Sequence, residues 1–325
     1  MTQLTQHTIK TPYMIGPVHC YTGVFSDELV LFDTGPPTVQ AKEYLLENID
    51  LEQLKHVLVT HCHIDHYGLA HWLEREYGAT IYLPRKDCLK IQESTRRLAE
   101  MYFLLEGLGF SPDYLQELKE IFDSGALFPP QPEKYRVAEE ELPGYLDIGV
   151  LPCPGHSQSD LVYTGDTWAV TGDTLLRGVF QSPILDVDLE LGGRYNNYAA
   201  YCQSLISLAA LGDKTILPGH RYEIESIETT LVFYLTKLLE RVAKLHQYLA
   251  EPDLLSLVDK LLQGRMTDVF HIYLKVSEIL FMKDFLTQPC VLQESLVQAG
   301  MFEKLSEPFA AAVAGQSIQA AVVTG

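Results

Sequence analysis

The stretch Thr60-His-Cys-His-Ile-Asp-His-Tyr-Gly68 decides how this sequence is interpreted. It continues from the apolar, β-branched run His56-Val-Leu-Val-Thr60, which predicts a buried strand, and it leads into a segment with helical periodicity. Three imidazoles and one carboxylate therefore stand close together on a connection between a strand and a helix. So many ligand-type side chains at one point predict a metal site.

The spacing of these four side chains separates them into two pairs. His61 and His63 are two residues apart, so in an extended loop they point to the same side. Asp65 and His66 follow at the helix start and turn toward a neighbouring point. The pattern predicts two adjacent metal sites. The alternative, a helix start capped by Asp65 with incidental histidines, leaves the density of imidazoles unexplained.

Three more ligand-type side chains stand in separate loops farther along the chain: His156 after Pro154-Gly155, Asp173 after Gly172, and His220 after Pro218-Gly219. Each one alone is equally compatible with a surface turn. All three, however, follow a predicted strand, and open α/β sheets gather ligands at the ends of their strands. This shared position favours their joining the first cluster.

The pattern around these motifs is that of an α/β protein. Short strands such as Glu28–Phe32 and Thr80–Leu83 alternate with helices predicted over Val39–Asn48 and Leu69–Tyr77, the second of them closed by Gly78. A mostly helical insertion is predicted from about residue 86 to 128.

The second part of the chain begins with strands and ends with helices. A hairpin with its turn at Gly165-Asp166 is followed by a helix over Tyr198–Leu211 and a strand over Thr215–Leu217. After about residue 224 amphipathic helices follow. They are predicted over Ile227–Leu249, Leu254–Leu262, Thr267–Leu286 and Leu292–Ala299, and residues 316–325 are predicted to be a mobile tail.

Composition limits the classes of partner. The net charge of −19 disfavours a nucleic-acid partner, because phosphate recognition needs lysine and arginine. Arg96-Arg97, flanked by Glu93 and Glu100, is interpreted as a solvated helix face. The six cysteines show no CxxC motif or regular spacing. We expect a cytoplasmic protein with free thiols, no membrane segment and no secretion signal.

The run His-Cys-His-Ile-Asp-His and the later Pro-Gly-His-Ser, Gly-Asp-Thr and Pro-Gly-His motifs resemble the metallo-β-lactamase superfamily over about residues 10–225. The turn that contains Asp33 also resembles a structural element of that family. The resemblance implies an αββα sandwich with a helical C-terminal extension. We therefore expect a catalytic domain over residues 1–225 and a helical region over 226–315, which either caps the active site or forms a homodimer interface.

The resemblance also assigns the ligands. It implies that His61, His63 and His156 hold one divalent metal ion, that Asp65, His66 and His220 hold a second, and that Asp173 bridges them. Zinc is the first expectation for both ions, with iron or manganese as alternatives, because imidazole and carboxylate suit all three. No ligand of the family pattern is missing from this sequence.

The expected chemistry is hydrolysis. Two metals lower the pKa of a bridging water, so that hydroxide attacks a carbonyl or phosphoryl group, and Asp65 is the expected catalytic residue that orients the hydroxide and shuttles its proton. A thioester or related ester of a small molecule is preferred, as in hydroxyacylglutathione hydrolases of the glyoxalase II type. The alternatives are a lactonase, a phosphodiesterase, a mononuclear iron sulfur dioxygenase and a non-catalytic regulatory module.

Four residues next to the metal motifs are candidates for substrate contact: Tyr67, Arg194, Tyr195 and Tyr222. Their only support is their position in the sequence, and a structural role is the alternative for each. The reaction itself depends on loops and appended helices, because this fold places one metal core in enzymes of many specificities.

Overall fold

The computed structural model describes residues 3–124, 129–179, 183–263, 265 and 268–315. These residues form two sheets. The first has six strands in the order β1 to β6: Thr5–Ile9, Val18–Phe25, Glu28–Phe32, Leu54–Leu58, Thr80–Leu83 and Arg136–Val137. The second has four strands in the order β10-β9-β8-β7, where β7 is Gly149–Pro152, β8 Leu161–Thr164, β9 Trp168–Gly172 and β10 Thr215–Pro218.

Helices cover the outer faces of the two sheets. The helices up to the second sheet are α1 (Val39–Asn48), α2 (Ile64–Tyr67), α3 (Ala70–Tyr77), α4 (Arg85–Gln92), α5 (Ser94–Gly107), α6 (Pro112–Asp123) and α7 (Ala138–Glu141). Those that follow are α8 (Asn197–Ala209), α9 (Ile227–Leu245), α10 (Leu254–Leu262), α11 (Val269–Thr287), α12 (Pro289–Gln298) and α13 (Phe302–Ala314).

The two sheets pack face to face. Along a strand, alternate side chains point toward the other sheet, and those between them point toward the helices outside. On β3, Val30 and Phe32 join a cluster with Tyr163 and Trp168 of the second sheet, whereas Leu31 points to the opposite side and packs with α1 and α3. The outer face of the second sheet packs on α8, α9 and α11 in a third, larger cluster. The layers are thus helix, sheet, sheet, helix, which confirms the predicted αββα sandwich.

Local signals mark several helix ends. Thr38, Ser111 and Ser226 accept hydrogen bonds from backbone amides at the starts of α1, α6 and α9. The predicted end of α3 at Gly78 is confirmed, since this residue adopts a left-handed φ of 67°. The insertion consists of α4, α5 and α6; its last residues, 125–128, lie outside the described residues, as does the predicted tail over 316–325.

Several element predictions differ from the structure, and the limits of α8, α11 and α12 shift by one to three residues. Strand β4 ends at Leu58 rather than Thr60, and α9 ends at Leu245, where a short 3-10 turn follows. Helix α13 lies inside the helical region predicted over 226–315, but no separate helix was predicted there, and Pro308 lies inside it. Proline removes a backbone donor and usually ends a helix, but here tertiary packing of α13 along α9 maintains it. None of the helices within the described ranges combines the length and apolarity needed to cross a bilayer.

Candidate metal centre

Four loops that follow strands bring the predicted ligands to one edge of the sandwich. The connection after β4 carries His61 and His63 in its loop and Asp65 and His66 in the short helix α2, and the loops after β7, β9 and β10 carry His156, Asp173 and His220. Strands β9 and β10 are parallel neighbours, so their carboxyl ends meet at the same edge. Backbone bonds join the sheets here, since Leu161 N donates to Thr60 O at 2.9 Å.

The first group of side chains consists of three histidines. The Nδ1 atom of His63 lies 3.0 Å from Nε2 of His61 and 3.0 Å from Nε2 of His156. The three rings meet nearly edge to face, which directs three nitrogen atoms to a common point. This group has the donor set and closeness of a metal site.

The second group lies beside the first. The Nε2 atom of His220 is 3.3 Å from Oδ2 of Asp65, and Nε2 of His66 is 4.0 Å from Oδ1 of the same carboxylate. Asp173 stands between the groups: its Oδ1 lies 3.4 Å from His66 Nε2, and its Oδ2 lies 3.8 Å from His156 Nε2. All seven predicted side chains therefore lie within reach of one another.

Hydrogen bonds behind the rings fix which nitrogen faces the centre. His220 Nδ1 lies 2.7 Å from the carbonyl oxygen of Pro17, which can only accept, so the ring donates from Nδ1. His66 Nδ1 lies 2.7 Å from Oδ2 of Asp33. Both inward Nε2 atoms are buried and no hydrogen bond satisfies them. Histidines that bind a metal usually have such a hydrogen-bond partner at their other ring nitrogen. A cation at the centre would satisfy the lone pairs of the two inward Nε2 atoms.

The charges of the centre also suit a cation. Burial and the neighbouring imidazoles hold the pKa of His61 well below its usual range, and the same causes lower the pKa of His63 to about 3. Burial alone also lowers the pKa of His66, but the carboxylates of Asp173, Asp33 and Asp65 outweigh it and raise that pKa. The carboxylates of Asp33, Asp65 and Asp173 are all buried beside these rings, and buried negative charge is costly unless a cation balances it.

Two glycines allow the loops to approach so closely. A Cβ atom at Gly219 would lie 2.7 Å from Cε1 of His66 and 2.8 Å from Oδ1 of Asp173. A Cβ atom at Gly155, beside His156, would lie 2.6 Å from Cδ2 of Tyr201. A larger residue at Gly219 would displace His66 or Asp173, and one at Gly155 would displace the ring of Tyr201, which packs against the loop of His156; glycine therefore fits before both histidines.

A family model described as the Metallo-beta-lactamase superfamily matches residues 15–220. The chain belongs to the metallo-beta-lactamase superfamily. It is 27% identical over 233 residues to the probable metallo-hydrolase YqjP of Bacillus subtilis (strain 168), covering 69% of this chain and 73% of that protein. It is 28% identical over 224 residues to the uncharacterized protein ML0493 of Mycobacterium leprae (strain TN), covering 65% of this chain and 90% of that protein.

Two solved structures share the superfamily fold with this chain. The metallo-beta-lactamase family protein TTHA1429 from Thermus thermophilus aligns with a TM-score of 0.62 at 22% identity, over 88% of this chain and 93% of that one. A beta-lactamase domain protein from Burkholderia ambifaria aligns with a TM-score of 0.68 at 19% identity, over 87% and 86%. At these identities the likeness concerns the fold alone.

In this member of the superfamily the candidate metal centre borders a cavity of about 490 Å³. His63, Asp65 and His156 line one end of it. Tyr67, one of the four candidates for substrate contact, is buried and also lines the cavity.

The other three candidates are not among the described residues that line this cavity. Arg194 forms a two-pronged ion pair with Asp284 of α11, at 2.8 and 2.7 Å. The ring of Tyr195 lies 5.1 Å from the Nζ atom of Lys86. Tyr222 is 72% exposed.

Four charged residues of the cavity wall were not predicted: Asp87, Lys90, Arg97 and Asp186. The interpretation of Arg96-Arg97 as a solvated face is correct for Arg96, which pairs with Glu93 and Glu100, but wrong for Arg97. Arg97 points inward and binds both oxygens of Asp186 at 3.0 Å. Its spacing of four from the buried Met101 was the signal in the sequence that it lies on the inner face of α5.

Asp87 connects two of the loops that carry ligand-type side chains. Its Oδ2 accepts from the backbone amide of Cys62 at 2.8 Å, and its Oδ1 accepts from the hydroxyl of Ser159 at 2.7 Å. Lys90 donates to the same Oδ1 at 2.9 Å. The loop of His61 and His63 is thereby held against the loop of His156 by one buried carboxylate.

Proposed function

We propose that the protein is a metal-dependent hydrolase that cleaves a thioester or related ester of a small molecule. The observation that carries the proposal is the metal centre itself. Its seven ligand-type side chains converge from separate loops, and outer hydrogen bonds turn the Nε2 atoms of His66 and His220 toward the middle. The similarity to YqjP, a probable metallo-hydrolase, supports metal-dependent hydrolysis.

The residues fit two divalent ions, which is part of the proposal. His61, His63 and His156 would hold one ion, Asp65, His66 and His220 the other, and Asp173 would serve both. This imidazole and carboxylate set suits zinc first, with iron or manganese as alternatives. When bound, such ions supply Lewis acidity and make water a nucleophile at neutral pH.

Asp65 is the residue of the chain placed to move a proton. Its carboxylate is mostly buried but lines the cavity, and the imidazoles of His66 and His220 outweigh the effect of burial and hold its pKa below the usual range. A carboxylate there accepts a hydrogen bond from the attacking water and so orients it toward the substrate carbonyl. It then passes the proton on to the leaving group.

The cavity favours a carbonyl ester over a phosphodiester. Its lining is mostly apolar, and the positive charges of Lys90 and Arg97 are already paired with Asp87 and Asp186. A phosphodiester needs cations that are available to it, and the net charge of −19 works against an extended nucleic-acid substrate.

The test is reconstitution of the purified protein with Zn²⁺, Mn²⁺ or Fe²⁺, followed by assays on thioesters, lactones and bis(p-nitrophenyl) phosphate. We expect metal-dependent cleavage of thioesters or esters, and we expect Asp173→Ala to reduce it to background because Asp173 lies between both ligand groups. Asp166→Ala, an exposed residue in the turn between β8 and β9, is the control.

Other outcomes would redirect the proposal. Absence of metal-dependent turnover on every substrate would refute a hydrolase. Cleavage of the phosphodiester alone would favour a phosphodiesterase, and oxygen consumption with glutathione persulfide would indicate a sulfur dioxygenase.

A further inference from the structure

The cavity that starts at the metal centre has a second, apolar end. From His63 and His156 it extends between α5, α6 and α11. Side chains of all three helices line that end: Leu98 and Met101 from α5, Phe122 from α6, and Phe270 and Leu274 from α11. We call this part of the cavity the apolar chamber.

Aromatic contacts shape the wall of the apolar chamber. The ring of Tyr273 stacks with that of Phe270 at a centroid distance of 6.0 Å and meets the ring of Phe122 edge to face at 6.4 Å. The Tyr273 hydroxyl donates to the backbone oxygen of Leu185, so its polar end is turned away and satisfied. The wall therefore offers a ligand ring faces and methyl groups rather than hydrogen-bonding partners.

The charged residues between the two ends compensate one another. Arg97 and Lys90 supply two positive charges, and Asp186 and Asp87 supply two negative ones, within hydrogen-bonding or ion-pair distance. Burial opposes all four charges, but the pairing outweighs it and keeps the pKa of Lys90 raised and that of Asp87 lowered. A ligand that passes this group thus meets a neutral ion cluster with no charge left to neutralise.

We propose that the apolar chamber holds the straight acyl chain of a thioester or ester whose carbonyl lies at the metal centre. The proposal rests on the proposed hydrolase function and specifies its substrate class. In the reaction one water adds across the acyl bond: its oxygen bonds to the carbonyl carbon and the bond to sulfur or oxygen breaks. One proton goes to the leaving thiol or alcohol, and the carboxylic acid releases the other.

The reaction product supplies a direct binding test. Acetate, butyrate, octanoate and dodecanoate share the carboxylate head and differ only in the length of the chain. Titration calorimetry on the full-length, metal-loaded protein should show affinity that rises about fourfold for each added methylene, until the chamber is full. An affinity that does not change with chain length would overturn the proposal.

Variants locate the effect in the chamber. Leu274→Trp and, independently, Leu98→Trp add bulk to the wall of the apolar chamber, so we expect each to weaken dodecanoate binding at least tenfold while acetate binding stays unchanged. Phe103→Trp is the matched control, because Phe103 lies on the outside of α5 and is 79% exposed. An equal loss of dodecanoate affinity in the control would show that the acyl chain binds elsewhere. The same conclusion would follow if neither chamber variant lost affinity although circular dichroism shows that both are folded.

A kinetic series separates this proposal from the proposed function. On p-nitrophenyl esters of the same acids we expect kcat/KM to increase with chain length, and to lose that increase in Leu274→Trp. Hydrolysis without any chain-length preference would refute the acyl chamber and leave the hydrolase standing. Chain-length-dependent binding without hydrolysis of any ester or thioester would refute the hydrolase and leave a site for apolar chains.

Discussion

Asp33 supports the candidate metal centre without being one of the seven ligand-type residues. It is buried in a left-handed turn with a φ of 57° after β3. Its Oδ1 accepts from the amide of Thr60 at 2.8 Å, and its Oδ2 accepts from the Thr60 hydroxyl at 2.9 Å and lies 2.7 Å from His66 Nδ1. One carboxylate thus fixes both the start of the ligand loop and the orientation of the His66 ring.

Asp33→Asn should lower metal affinity by about 10–100-fold, the effect typical of losing an orienting partner of a ligand. The amide keeps the size of the side chain but presents a donor where Asp33 presents an acceptor. Competition with a chromophoric chelator measures the affinity. Asp27→Asn is the matched control, since Asp27 also has a left-handed φ, of 65°, but is exposed at the β2–β3 turn. Equal affinities in the two variants would contradict this role.

Single residues of the candidate site could be predicted from the sequence where they are neighbours in the chain. His61, His63, Asp65 and His66 are neighbours in the chain, and their grouping follows from density alone. For His156, Asp173 and His220, the shared position after a strand favoured the same cluster, but their assignment to one ion or the other came only from the resemblance, since strand order cannot be read from one sequence. The pair Arg97–Asp186, separated by 89 positions in the chain, could not be predicted in this way.

Among the elements, α4 and α5 are tied to the loop before α8 by the ion cluster in the cavity wall. Lys90 of α4 and Arg97 of α5 both reach Asp186, at 3.5 and 3.0 Å. Burial raises the pKa of Asp186, but Arg97 and Lys90 outweigh this effect and lower the pKa to about 2. The folded protein therefore binds a proton at Asp186 less readily than the unfolded chain does.

This shift predicts how stability depends on pH. Because the folded pKa lies below the unfolded value of about 3.9, ionised Asp186 stabilises the fold above that pH and loses its effect as pH falls toward 2. Asp186→Asn should reduce the free energy of unfolding by about 2 kcal/mol or more at neutral pH. The difference from wild type should stay constant down to about pH 4 and then narrow.

Urea unfolding of both proteins at several pH values measures this difference. Asp113→Asn, an exposed acid in the first turn of α6, is the control and should change stability little. A difference between wild type and Asp186→Asn that widens below pH 4 would show that the ion cluster does not stabilise the fold.

Element boundaries show where periodicity succeeds and where it fails. Helix α1 and strand β5 have the predicted limits, because an N-cap and turn residues mark their ends. Helix α13, which was predicted only as part of the helical region over 226–315, carries Pro308; proline opposes a helix, and burial of Leu305, Phe309 and Ala312 offsets its effect. Such tertiary support cannot be derived from a sequence window.

For the whole molecule, the C-terminal helices share a core with the second sheet. One cluster of buried side chains includes Val162 of β8 and Ala169 of β9 together with Leu235 of α9 and Phe285 of α11. The same helix α11 contributes Phe270 to the apolar chamber. Residues after 225 therefore both complete the core and form part of the cavity wall, so we expect the sheets and these helices to unfold together.

Phe285→Ala tests this expectation. Phe285 is fully buried and meets the ring of Tyr198 in α8 at 6.1 Å and that of Phe309 in α13 at 5.6 Å, so removing it should cost about 3–5 kcal/mol. Phe103→Ala, an exposed position on α5, should cost little.

The two probes of unfolding report on different parts of the molecule. The tryptophans, Trp72 in α3 and Trp168 in β9, report on the layers before residue 225, whereas far-ultraviolet circular dichroism is dominated by the helices.

If all layers share one core, the fluorescence and circular dichroism transitions in urea coincide, and Phe285→Ala shifts both to lower urea concentration by the same amount. A shift of the circular dichroism transition alone would mean that the C-terminal helices unfold as a separate unit. In that case α11 could leave the cavity wall while the metal centre stays folded, and Phe285→Ala would weaken dodecanoate binding without lowering metal affinity.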